Sequence, residues 1–244
     1  MTKISVKKIY LLVIVLFTLV ITEGHSQTPL TKVDGDQLTY ILPSPQTDGK
    51  ISVEHALANR RSHRSYTDQA ISAEQLSQVL WAAYGITSPR PDSPNLRGGL
   101  RTAPSAGGLY PYEIYILVGK VNGIETGLYH YVSQEHKIVK VRDQDLRESL
   151  SVASFGQNQI KEAPVTLLYA AIYGRMVARY GARGTDRFVY IDLGHSAQNV
   201  YLQAEALNLG TCSVGGFNDE QVIELMQLPE EEIPLYIMPL GHYK

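Results

Sequence analysis

The chain has 244 residues, 44% of them hydrophobic, enough to bury one full core and to form a single domain. A formal net charge of -2 excludes a nucleic-acid binder that relies on a global basic field, so any anionic partner is small and meets a local cationic cluster. One cysteine, Cys212, excludes an internal disulfide, and the fold stands on its core alone.

Lys3, Lys7 and Lys8 precede an apolar run at residues 9–21, and the polar stretch Glu23-Gly24-His25-Ser26-Gln27 follows. This is the pattern of a secretory signal over residues 1–26, since the run is shorter than the roughly 20 residues that span a bilayer. An uncleaved membrane anchor is the competing reading. The basic pair is Lys7-Lys8 and not a twin arginine, which favours export as an unfolded chain. The expected location is periplasmic, with any cofactor acquired after translocation.

Residues 27–50, punctuated by Pro29, Gly35, Pro43, Pro45 and Gly49, have no sustained period and read as an extended lead-in to a domain at 51–244. Ser52 caps a short helix with Val53, Ala56 and Leu57 on its inner face. Ser72 with Gln75 is a capping box for a second helix, striped by Leu76, Val79, Leu80 and Ala83 and stopped by Gly85. Five prolines and four glycines across 86–112 predict a long loop. Strands are expected at 113–119, 128–132, 138–141, 165–172, 211–214 and 235–240, and a helix at 143–153. The longest helix carries Val189, Leu193, Ala197, Val200, Ala204 and Leu207 at helical spacing, with Gly210 as its stop. Asn218 or Asp219 opens a last helix with Val222, Leu225 and Met226 inside. Without strict βαβ alternation, these elements suggest a mixed sheet covered by helices, an α+β architecture.

Three segments carry chemistry. Arg60-Arg61-Ser62-His63-Arg64 places three guanidinium groups and a hydroxyl at a helix-to-loop boundary, where forked donors can grip phosphate oxygens. Arg101-Thr102-Ala103-Pro104-Ser105-Ala106-Gly107-Gly108-Leu109-Tyr110-Pro111 sets glycines where bare main chain can approach a ring system. Val214-Gly215-Gly216-Phe217 lies between a strand and a helix N-terminus.

With these motifs the chain resembles the FMN-dependent nitroreductase superfamily, and within it the SagB-type dehydrogenases, over residues 42–241. Further matches are Leu42-Pro43, Leu80-Trp81-Ala82-Ala83-Tyr84-Gly85, Leu193-Gly194-His195 with Asn199, and Pro239-Leu240-Gly241. The resemblance implies a non-covalent FMN, with Arg60, Ser62 and Arg64 at the ribityl phosphate and ring edge and Arg61 beside them. It implies that Ser105, Ala106, Gly107 and Gly108 line the isoalloxazine, and that Gly215 and Gly216 lie near its N5 side. Several nitroreductases have a glutamate at the position of Gly215. Family members place another basic residue at the phosphate beyond the final strand, for which Lys244 is the candidate here. The resemblance also implies a homodimer with flavin at its interface, built on a long helix over 187–208. Its implied reactions are reduction of nitro compounds or quinones by NADH or NADPH, or oxidation of a peptide azoline to the azole.

Other readings of the residues are weaker. Cys212 with His195 and Asp192 has the residue types of a thiol hydrolase, but Cys212 falls in a strand pattern as a small hydrophobe and His195 in a helix. Asp192 and Glu205 are expected on the polar face. His130 and His136 flank a hairpin without a third ligand, so no metal is expected. Tyr110, Tyr112, Tyr173, Tyr180 and Tyr190 could stack on or hydrogen-bond a substrate, and none stands out as a proton donor. The alternative from another class is an exported, non-catalytic binding protein that keeps the fold without flavin.

Overall fold

In a computed structural model, residues 28–244 are described, and the leader read at 1–26 lies outside them. The core is an eight-stranded sheet built from β1 (Thr31–Val33), β2 (Thr39–Ile41), β5 (Tyr112–Val118), β6 (Gly127–Val132), β7 (Lys137–Arg142), β8 (Val165–Ile172), β9 (Gly210–Thr211) and β10 (Glu232–Gly241). Its order is β1-β2-β7-β6-β5-β8-β10-β9, and every neighbouring pair is antiparallel. The α+β class holds. The mixed pairing does not, because parallel register occurs only at isolated bridges such as Ser62 with Thr211.

Period-2 alternation on the central strands builds two cores. Tyr112, Ile114, Ile116 and Val118 of β5 face one side and Tyr115 and Leu117 the other, and β8 divides likewise. The first side is covered by α2 (Ala73–Tyr84) and α6 (Val189–Ala206), whose buried residues include Leu76, Val79, Leu80, Leu193, Ala197 and Val200. The second is covered by α3 (Arg147–Ala153), α4 (Asn158–Glu162) and α7 (Asp219–Met226) through Leu150, Ile160, Val222 and Met226. Fully burying each such side chain stabilises the fold by about 1.5–3 kcal/mol.

The Ser72 capping box and the Ser52 cap are both formed, and Asn218, not Asp219, caps α7. Several expectations need correction. The lead-in contributes β1 and β2, which extend the sheet through pairing of β2 with β7. The segment 86–112 holds a small ladder of β3 (Ile86–Pro89) with β4 (Gly99–Arg101) and two single 3-10 turns, because Gly98 and Gly99 give backbone angles that let the chain fold back on itself. In α1 (Val53–Asn59) only Ala56 is buried; Val53 is 64% and Leu57 55% exposed. Helix α3 starts at Arg147, and α5 (Gly174–Tyr180) and a π turn at Gly184–Phe188 precede α6. Helix α6 ends at Ala206, short of the stop expected at Gly210, and Asn208 takes the left-handed conformation that turns the chain.

Candidate functional site

The segment after α1 is fixed from behind. Ser62 bridges Thr211, the His63 amide donates to the Thr211 carbonyl at 3.0 Å, and the Thr67 amide donates to the His242 carbonyl at 2.8 Å. The Lys244 amide donates to the Ser65 carbonyl at 3.2 Å, while the His63 and Tyr243 rings stack with centroids 3.8 Å apart. Buried Tyr66 places its hydroxyl 2.8 Å from the His63 carbonyl and 3.1 Å from that of Pro239. These contacts use backbone and inward side chains, leaving Arg61 and Arg64 exposed and Arg60 partly so. Arg61 and Arg64 donate to backbone carbonyls, and Arg60 lies over the Tyr201 ring, 5.3 Å from its centroid. Among the described residues none of the three arginines forms an ion pair with a carboxylate. The Lys244 ammonium stands 3.9 Å from Glu162.

Tyr201 on α6 joins this segment to the Gly215-Gly216 region. Its hydroxyl lies 3.2 Å from Ser62 Oγ and 3.2 Å from Ser213 Oγ, and accepts the Ser213 amide at 2.8 Å. The next residue, Val214, exchanges both backbone hydrogen bonds with Ile237. Gly215 and Gly216 then stand exposed; a Cβ at Gly215 would lie 3.5 Å from the Tyr236 ring, and one at Gly216 would meet nothing. Asn218 uses its side chain on the Gln221 amide, so the α7 N-terminus keeps fewer free donors than expected. Sequence reasoning missed Tyr201, whose partners lie 139 and 12 residues away.

The Ser105 loop is organised by Asp192, which is 4% exposed and not on the polar face. Its carboxylate accepts Ser105 Oγ at 2.6 Å and the Ala106 amide at 3.1 Å, and Ser105 Oγ accepts the Tyr110 amide at 2.9 Å. Burial pushes the Asp192 carboxyl above its ordinary range, while the Ser105 and Ala106 donors and nearby His195 pull it back. Gly107 and Gly108 have φ of 65° and 68°, so glycine is required there by backbone conformation. Arg101 lies beneath, buried between the rings of Tyr84 and Tyr110 at 4.5 and 4.9 Å. Nine residues separate Asp192 from Tyr201, two and a half turns, so the loop packs on the flank of α6 opposite the arginine segment. One chain therefore joins two of the three segments and keeps the third apart.

Along that opposite flank runs a groove of ≈ 520 Å³ lined by residues that include Ile51, Val53, Trp81, Asn199, Leu202 and Gln203, and by none of the sequence-selected site residues. Glu113 forms a second polar centre. It accepts Arg97 at 2.8 Å and Arg175, and lies 2.9 Å from His130 Nε2. Arg175 also donates to the Tyr110 carbonyl at 3.3 Å, tying this centre to the end of the Ser105 loop. Burial drives the Glu113 carboxyl up, but the His130 and Arg175 hydrogen bonds and charge outweigh it and hold the group at about 2.

The thiol-hydrolase set is not assembled. Cys212 is fully buried against the Tyr66 hydroxyl, its thiol pushed up by burial, and Asp192 is committed to Ser105. His130 pairs with Glu113, and His136 Nε2 lies 2.7 Å from Ser77 Oγ. No three metal-ligating side chains cluster among the described residues.

The fold is α+β, a helix-sheathed antiparallel sheet in which three arginines meet no carboxylate among the described residues and Tyr201 links Ser62 to the segment before an exposed diglycine turn. The chain belongs to the Nitroreductase family, whose model matches residues 57–242. It is 41% identical to MJ1384 of Methanocaldococcus jannaschii over 85% of this chain and 98% of that one. It is 26% identical to FMN reductase [NAD(P)H] of Bacillus subtilis over 77% of this chain and 64% of the other. Among solved structures, the Ralstonia eutropha JMP134 protein reut_a1228 superposes with a TM-score of 0.71 at 29% identity, covering 89% of this chain and 99% of that one.

Proposed function

We propose that this protein is an FMN-dependent oxidoreductase that takes electrons from NADH or NADPH and passes them to a small organic acceptor. The observation that carries the reading is the Tyr201 hydroxyl between Ser62 and Ser213. It joins three arginines that have no carboxylate partner among the described residues to an exposed diglycine turn, open at Gly216 and flanked at Gly215 by the Tyr236 ring. Arg60, Ser62 and Arg64 hold the phosphate, with Arg61 beside them, and Gly215 and Gly216 admit the ring. When bound, FMN supplies reversible hydride chemistry at the flavin ring, which these side chains do not provide. Lys244 has its backbone beside Ser65 and its ammonium toward Glu162, so it is a reserve phosphate contact.

Ser105, Ala106, Gly107 and Gly108 reach this site from a second copy. The exposed Val53 and Leu57 on α1, with Ile51 at 41% exposure, are the apolar surface that copy would cover. The chain of 27.1 kDa is expected to elute at about twice that mass, and L57D to elute as monomer with weakened FMN retention. Elution of the wild type as monomer with full FMN binding would refute the two-copy site.

The purified protein is expected to be yellow and to release FMN on denaturation. A colourless preparation that takes up no added FMN would leave the non-catalytic binding protein as the reading. Arg64→Ala is expected to weaken FMN binding roughly tenfold to hundredfold, since a charge-assisted contact is worth about 1.5–3 kcal/mol. Unchanged affinity by flavin fluorescence titration would reject the phosphate assignment. Azoline oxidation is the second reading, favoured by the motif Pro104-Ser105-Ala106-Gly107-Gly108-Leu109-Tyr110-Pro111. Anaerobic titration separates the two: reduction by NADH or NADPH supports the first, and reduction by an azoline peptide alone supports the second. The leader at residues 1–26 supports export, with FMN taken up after translocation.

A further inference from the structure

Most tyrosine hydroxyls in this fold are committed to main chain or to buried partners: Tyr66 to the His63 carbonyl, Tyr129 to the Glu125 carbonyl, Tyr169 to Ser196. Tyr173 and Tyr190 differ. Their hydroxyls lie 3.1 Å apart and bond only to each other among the described residues, and Tyr190 is 52% exposed. Helical period puts Tyr190 on the same flank of α6 as Tyr201, eleven residues and about 16 Å away. Between them Gly194 is exposed, with no atom within 4 Å of where its Cβ would be.

The sheet gives the same order. Tyr236, the ring nearest Gly215, pairs with Tyr169 in β8, and Tyr173 lies four residues further along, about 13 Å. From one end, this flank therefore presents Tyr201 with Ser62, then Gly215 with Tyr236, then the Tyr173–Tyr190 pair.

We propose that Tyr190, held by Tyr173, donates a hydrogen bond to the oxygen of an aromatic acceptor, a nitro group or quinone carbonyl, seated beyond Gly215 and away from the arginines. The assignment rests on the flavin reading above. Either hydroxyl can donate to the other, and with Tyr173 donating its proton is spent on the Tyr190 oxygen. That leaves the Tyr190 proton free for a ligand, and the half-exposed ring offers an edge for stacking.

The test uses the oxidised, FMN-loaded protein, in which a nitroaromatic binds without being reduced. Equilibrium binding of nitrobenzene and of toluene, its counterpart without an oxygen, is measured for wild type, Y190F and Y173F. Y190F is expected to weaken nitrobenzene binding about tenfold and Y173F about threefold, with toluene binding, FMN affinity and melting temperature unchanged. Equal loss for both ligands, unchanged nitrobenzene affinity in Y190F, or no nitrobenzene binding by the loaded wild type would overturn the assignment alone. A wild type that takes up no FMN would sink the flavin reading and this inference with it.

Discussion

Glu113→Gln is expected to lower stability at pH 7 by about 3 kcal/mol, and the gap from wild type is expected to close as the pH falls from about 4.5 to about 2. The folded protein holds this carboxyl at about 2 against an ordinary value of 4.5. A depressed acid contributes stability that is fully present above its unfolded pKa and is lost as pH falls through its folded one. A shift of this size is worth about 3 kcal/mol. Removing the charge also takes from the half-buried Arg97 and Arg175 the carboxylate to which both donate. Denaturant unfolding of both proteins across this pH range checks the result; a gap that persists at pH 2 would show that packing, not charge, governs the site.

Asp192→Ala is expected to cost about 2–4 kcal/mol and to lower the melting temperature by roughly 5–15 °C. Alanine orphans the Ala106 amide and the Ser105 hydroxyl, whose acceptor is the Asp192 carboxylate. Asp192→Asn keeps one carbonyl acceptor and is expected to lose less than half as much. It also removes a pH dependence of the opposite sense to that of Glu113: a raised folded pKa gives a contribution present below the unfolded value and lost as pH rises through the folded one. The effect extends to the Ser105 loop, so FMN retention is expected to fall with stability in the alanine variant. Thermal scans beside flavin titrations would separate this from a purely local loss, in which retention stays at the wild-type level.

The elements most legible in the sequence were those whose pattern is local. The capping box at Ser72, the continuous buried run of β8 and the stripe of α6 each depend on neighbours within a few residues, and each is found in place. Misreadings came where tertiary contacts decide. The two strands within 27–50 are three residues long and exist because β7 offers an edge to pair with. The exposure of Val53 and Leu57 follows from how α1 sits, which helical period alone does not specify. Asp192 was misplaced although a signal was present: with Val189, Ser196 and Val200 it occupies one buried row at spacings of three, four and four. Of the site, the arginines and glycines could be picked out by residue type. Tyr201 could not, since a tyrosine in a helix becomes a junction only when strands distant in sequence arrive beside it.

The stitching of residues 62–67 to Thr211, Pro239 and His242–Lys244 has a consequence for biosynthesis. The Tyr66 hydroxyl reaches the Pro239 carbonyl across 173 residues, so the arginine segment cannot take its final shape until nearly all the described chain has been made. Closing so long a loop costs entropy that only late, non-local strand pairing repays, which makes this corner a slow part of folding. A ribosome-bound polypeptide would thus present its guanidinium groups on an unformed scaffold.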